Sequence, residues 1–92
     1  MSNMCVLIER HPHVCFTQID LDEVILLSSV NENFYHLNES AVELWLALET
    51  AKTLEELSQI FAQKYLEPPP VYQHDIWEWV QDAVKKGLLV LK

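Results

Sequence analysis

Ninety-two residues make one domain, and a chain that is half hydrophobic and one-tenth aromatic can build a core. A single Gly and four Pro exclude a collagen-like or disordered chain. Fourteen acids against six bases leave a net charge of −8, which argues against a protein that grips phosphate backbones.

From the N-terminus the signal is strand-like. Cys5-Val6-Leu7-Ile8 is a short apolar run that stops before Pro12. Val14-Cys15-Phe16-Thr17-Gln18-Ile19 is rich in β formers. Asp20-Leu21-Asp22 carries turn-favouring acids, and Val24-Ile25-Leu26-Leu27 is apolar on both faces. Asn31-Glu32-Asn33 is the expected hairpin turn, and Phe34-Tyr35-His36-Leu37 a third short strand. Short turns between strands predict an antiparallel meander.

The period changes at Asn38. Asn38 is a suitable N-cap, with Glu39 in the first turn, where the helix dipole favours an acid. Ala41, Leu44, Trp45 and Leu48 recur at helical spacing, which predicts a helix over 39–50. Thr53-Leu54-Glu55-Glu56 is a capping box ahead of a helix over 54–65, with Leu54, Leu57, Ile60 and Phe61 on its inner face. Glu67-Pro68-Pro69-Pro70 cannot be helix interior. A third helix is expected over 72–86, with Tyr72, Ile76, Trp79, Val80 and Ala83 as its inner stripe. Lys85 and Lys86 suit its C-terminal dipole, and Gly87 suits C′. Residues 88–91 should fold back on the core. The expected fold class is α+β and winged-helix-like: an N-terminal three-stranded antiparallel sheet followed by a three-helix bundle.

Most chemistries find no support. Ser28, Ser29, Ser40 and Ser58 lie in no nucleophile elbow, and one Gly cannot build a phosphate cradle. His13 and Cys15 are more simply neighbours on a strand than a thiol–imidazole pair. Cys5, His11, His13 and Cys15 match no zinc spacing. They read as two buried thiols and two solvated imidazoles, so neither catalytic residues, a metal nor a cofactor is expected. Two Cys make no disulfide scaffold, no apolar run reaches the ~18 residues of a membrane span, and no signal peptide is visible. The expectation is a cytoplasmic protein without a membrane partner. Asp75, Glu78 and Asp82 on the third helix would repel phosphates, so nucleic acid is not an expected partner either.

One feature is suited to binding. Trp77 and Val84 form a second, partly apolar face of the third helix. A small protein can simply leave such an aromatic half exposed. Alternatively, this face walls a groove whose other side is the edge of the 34–37 strand. An edge strand offers unpaired N–H and C=O groups to an extended peptide, and a helix wall gives pockets for alternate side chains.

The run from Val24 to Leu27, then Phe34-Tyr35-His36-Leu37-Asn38-Glu39-Ser40-Ala41 and Leu44-Trp45, resembles the PqqD-like family of peptide chaperones, the RiPP recognition elements. Thr53-Leu54-Glu55-Glu56-Leu57, Asp75-Ile76 and Lys86-Gly87-Leu88-Leu89 continue the likeness. The aromatic-x-Leu-Asn-x-(Ser/Thr)-Ala element is its most specific part. The resemblance implies a non-catalytic domain that binds the leader segment of a ribosomally made precursor peptide as an added strand, between the third strand and the third helix. It implies a partner enzyme, either a leader peptidase or a radical SAM enzyme. On this reading Phe34, Tyr35 and His36 supply the strand edge. Trp77, Val80, Gln81 and Val84 supply the helix wall, with Lys85 as an anion contact.

Residues 28–33 lack the Pro-Glu-Gly type of turn associated with the pyrroloquinoline quinone branch, and the Phe-Tyr-x-Leu-Asn wording resembles the stand-alone lasso-peptide type. The acidic third helix suits a leader with basic residues near the groove, or acids that only face solvent. The rival expectations are a winged-helix transcriptional regulator and a self-associating subunit. An open edge also allows a monomer to form weak or domain-swapped dimers.

Overall fold

The β-forming runs and the helical periods fold as separate layers. The computed structural model describes residues 6–28, 32–65 and 69–92. In chain order these form β1 (Leu7–Arg10), β2 (Val14–Asp20), β3 (Glu23–Ser28), β4 (Asn33–Asn38), α1 (Ser40–Ala47), β5 (Lys52–Thr53), α2 (Leu54–Tyr65), α3 (Pro69–Lys85) and β6 (Leu89–Leu91).

The meander is β2-β3-β4, antiparallel throughout. Val24 pairs with Leu37 and Leu26 with Tyr35, which sets the register between β3 and β4. Val24, Leu26 and Leu37 are buried, so this face covers the core. Ile25 pairs with His36 and Leu27 with Phe34 on the opposite face. There Ile25 and Leu27 are only half-buried and Phe34 is 72% exposed, so the run 24–27 has one wet face. A one-residue slip would exchange the two faces, which is why the alternating burial of β3 fixes the register.

A second small sheet, ordered β5-β1-β6, was not expected. The first apolar run does not join the meander. Leu7 pairs with Thr53, while Ile8, Glu9 and Arg10 pair with Leu91, Val90 and Leu89. Residues 88–91 do fold back, and they do so as a strand. Strands of two to four residues are too short to display a period, so their pairing is decided by tertiary contact.

The helix ends show which local signals prevail. Thr53 and Glu56 form the capping box: the Thr53 N–H donates to Glu56 Oε1 at 2.9 Å, and the Glu56 N–H donates to Thr53 Oγ1 at 3.2 Å. At the end of α3, Gly87 has φ 75°, its N–H donates to the Val84 carbonyl at 3.1 Å, and the Leu88 N–H donates to the Ala83 carbonyl at 2.9 Å. This is a Schellman motif with glycine in the left-handed position.

Two expected boundaries are corrected. Asn38 is not the N-cap of α1: it ends β4 opposite Glu23, and Glu39 takes the cap position at φ 51° without a side-chain cap bond. The ladder continues one residue further because Asn38 still has a partner strand. The third helix begins earlier than expected, since Pro69 and Pro70 occupy its first turn. There the missing N–H groups have no helical acceptor in any case. Part of the expected hairpin turn, Asn31, lies outside the described residues, as do Cys5, Ser29, Glu67 and Pro68.

The core joins both layers: Ile8, Val24, Leu26, Leu37, Val42, Leu44, Trp45, Leu48, Leu57, Ile76, Val80, Ala83 and Leu89 are all buried. Arg10 closes it at one end. Its Nε and Nη2 both donate to the Trp45 carbonyl, at 3.1 and 2.6 Å. Its guanidinium lies 4.8 Å from the Phe16 ring centroid and 4.6 Å from that of Trp45. A fork donor thereby satisfies a carbonyl in the last turn of α1. Burial lowers the Arg10 pKa, with the charge of Glu49 opposing the shift.

Candidate functional site

β4 is an edge strand: β3 pairs with one side of it, and no strand pairs with the other among the described residues. Its side chains divide as the pleat requires. Tyr35 and Leu37 face the core layer, whereas Phe34 and His36 lie on the outer face. His36 Nε2 is 3.3 Å from Glu23 Oε2 on β3.

α3 runs alongside this edge. Near one end, the Lys86 ammonium lies 5.4 Å from the Tyr35 ring centroid. Near the other, Asp75 and Ile76 share a cavity of about 360 Å³ with Glu39 and Ser40, the residues that follow β4. Beside that cavity a smaller one of about 110 Å³ is lined by Ser40, Ala41 and Leu44 of α1, by Phe61 of α2 and by Asp75, Ile76 and Trp79 of α3. The strand from Tyr35 to Glu39 therefore runs antiparallel to the helix from Lys86 to Asp75, and the space between them is the candidate groove; both cavities lie at its Glu39 end and are lined by no residue of β4.

This placement fixes which flank of α3 meets β4. At about 100° per residue, Asp75, Trp79, Asp82 and Lys86 share one flank. Trp77 and Val84 lie on the other, with Trp77 projecting about 160° from Trp79. The expected wall is therefore only partly assembled. Trp77 and Val84 are half-buried against the core on the far flank. Val80 has no exposed surface and lies beneath the helix. Gln81 and Lys85 are exposed and project away from the core. Of the expected residues, Phe34, Tyr35 and His36 do form one edge segment, and Tyr35 meets α3 through Lys86. Trp79, which the helical period assigns to the inner stripe, is half-buried at the smaller cavity, beside Ala41 and Leu44 of α1.

The groove's far end is aromatic. Phe61, Tyr65 and Tyr72 pack with ring centroids 5.4, 5.8 and 6.2 Å apart. The Tyr65 hydroxyl donates to Glu43 Oε2 at 2.8 Å, and Lys64 donates to the other carboxylate oxygen. These contacts raise the pKa of both Lys64 and Tyr65, chiefly through the hydrogen bond to Glu43.

In the thiol–imidazole region the structure describes His11, His13 and Cys15. Cys15 is exposed on the outer face of the meander rather than buried, which corrects the sequence expectation. The reason is the register: Cys15 pairs with Leu27, on the wet face. His11 accepts a hydrogen bond from the His13 N–H at 3.1 Å. Among the described residues, His74, Asp75 and Glu78 bring potential ligand atoms within 4.8 Å of one another. All three are exposed on α3, with His74 3.0 Å from Glu78, and the arrangement is that of an ordinary solvated helix face. Among the described residues, no helix is long and apolar enough to cross a membrane.

Known proteins share this fold. The chain has 26% sequence identity and a TM-score of 0.80 to TbiB1 solved in complex with the TbiA(beta) leader peptide, over 88% of this chain and 93% of that one. A solution NMR structure of the PqqD truncation of Methylobacterium extorquens PqqCD, described as a stand-alone RiPP recognition element, shares the fold. It aligns with a TM-score of 0.75 at 20% identity, over 91% of this chain and 88% of that one. No curated protein sequence matches. The family model for coenzyme PQQ synthesis protein D matches residues 23–89, which span β3 through the start of β6, and the chain belongs to the PqqD family.

Proposed function

We propose that this protein recognises the leader segment of a ribosomally synthesised precursor peptide, which adds as a strand to the open edge of β4 alongside α3. The observation that carries this reading is the edge itself: a strand paired on one side only among the described residues, with an aromatic cavity where it leads into α1 and meets α3. Backbone hydrogen bonds to β4 would hold any extended segment, each contributing about 0.5–1.5 kcal/mol net. Side chains of the leader that alternate towards α3 would select among segments. The similarity to TbiB1, solved with a leader peptide, supports a leader peptide as the guest here.

The protein acts without catalysis. It works in the cytoplasm and presents the bound precursor to a separate maturation enzyme. A leader peptidase of the lasso type fits the Phe34-Tyr35-x-Leu37-Asn38 wording and the lack of a Pro-Glu-Gly type of turn in residues 28–33 better than a radical SAM partner does.

The test combines capture with hydrogen exchange. The tagged protein is recovered from its native cytoplasm, and co-eluting peptides are identified by mass spectrometry. The captured peptide is then added back during amide exchange. The expected result is protection concentrated in residues 33–38. A peptide that binds but protects a different segment overturns strand addition on β4. Recovery of duplex DNA in place of peptide would favour the regulator reading.

A further inference from the structure

We propose that the cavity at the Glu39 end of the groove is a subsite for a cationic side chain, lysine or arginine, of the bound leader; this rests on the strand-addition reading above. The cavity holds about 360 Å³ and is bounded by Phe61, Tyr65 and Tyr72 on one side and by the Glu39 and Asp75 segments on the other. That is far more than the ~30 Å³ share of one water molecule.

The aromatic wall is built in advance. The three rings contact one another, and Tyr65 is held by its hydroxyl bond to Glu43. The charge of Glu43 is already met by Lys64. The charges of Glu39 and Asp75 are not met in this way. Both residues are exposed at the cavity, and neither has an ion-pair partner among the described residues. An aromatic cluster attracts a cation through its ring quadrupoles, and the two carboxylates lining the same cavity add Coulombic attraction. A neutral aromatic guest would satisfy the rings but would strip water from two carboxylates without replacing it. The cavity therefore discriminates in favour of positive charge.

The probe is a random 12-residue peptide library displayed on its own messenger RNA and selected on the full chain. Selections run in parallel on wild type and on a Glu39→Gln/Asp75→Lys variant. Both residues are exposed, and a matched thermal melt verifies that the variant folds. The expected wild-type pool carries Lys or Arg at one recurring register position, and those peptides bind the variant about tenfold more weakly. The variant's own pool shifts to Asp or Glu at that position. Each enriched peptide is also scored for amide protection of residues 33–38. Peptides that protect β4 but carry an uncharged residue at that position, indifferent to the substitutions, overturn the cationic subsite and leave strand addition standing. Enriched peptides that never protect β4 overturn both.

Discussion

The Lys86 ammonium rests 5.4 Å from the centre of the Tyr35 ring, joining the last turn of α3 to the edge strand β4. Lys86 also pairs with Asp82 at 2.7 Å, one turn back on the same flank. Trp79 lies on the same flank of α3 as Lys86, and Trp77 on the other.

Trp79→Ala should weaken leader binding at least about 30-fold, as expected for a central aromatic anchor. Trp77→Ala should change affinity by no more than about threefold, because its contacts lie on the other flank. Calorimetric titration with the captured peptide measures both, with melts to separate binding from folding. The reverse ranking would place the groove on the Trp77 flank.

Arg10→Ala should destabilise the fold by about 2–3 kcal/mol. It removes two charge-assisted bonds to the Trp45 carbonyl and the stacking against Phe16 and Trp45. Arg10→Lys should recover little, since an ammonium lacks the planar fork. Urea denaturation of the two variants gives the comparison, and full rescue by lysine would show that charge alone matters.

Thr53→Ala should cost about 1 kcal/mol through loss of the capping box. Gly87→Ala should cost about as much, because it puts a Cβ at φ 75°. Neither site lines the groove, so peptide affinity of the folded variants should be unchanged. A fall in affinity larger than the loss of folded protein would contradict that separation.

Glu43 should govern an alkaline transition. It raises the folded-state pKa values of Lys64 and Tyr65 above their ordinary 10.5 and 10.0. Both groups then contribute stability that is complete below the unfolded values and is lost as pH rises through the raised ones. Ultraviolet titration should find one tyrosine ionising later than its ordinary value, and Glu43→Ala should abolish that delay. An unchanged titration curve would mean that the Tyr65 hydroxyl is not held by Glu43 in solution.

Local chemistry was sufficient wherever a few adjacent residues decide the outcome. Thr53 and Glu56 announced the start of α2, and Gly87 the end of α3. The apolar runs around Phe16, Leu26 and Leu37 marked the strands of the meander. The signal was weaker where two local rules compete. Asn38 is both a good cap and a strand end, and its pairing opposite Glu23 won. Pro69 and Pro70 are poor helix formers except in a first turn, which is where they lie.

The family and the edge strand were legible in the order of residues because the motif that carries them, Phe34 to Ala41, is continuous in the chain. The facing wall of the groove was not. A helical period shows that Trp77 and Trp79 project to different flanks, but which flank meets β4 depends on how α1, α2 and α3 cross. The same holds for Arg10, whose partner Trp45 is 35 residues away, and for the strands β1, β5 and β6, each too short to declare a partner. Short-range preferences determined the elements and their ends. Only packing, which satisfies apolar surface, backbone donors and charge at once, decided their mutual rotation and so the lining of the groove.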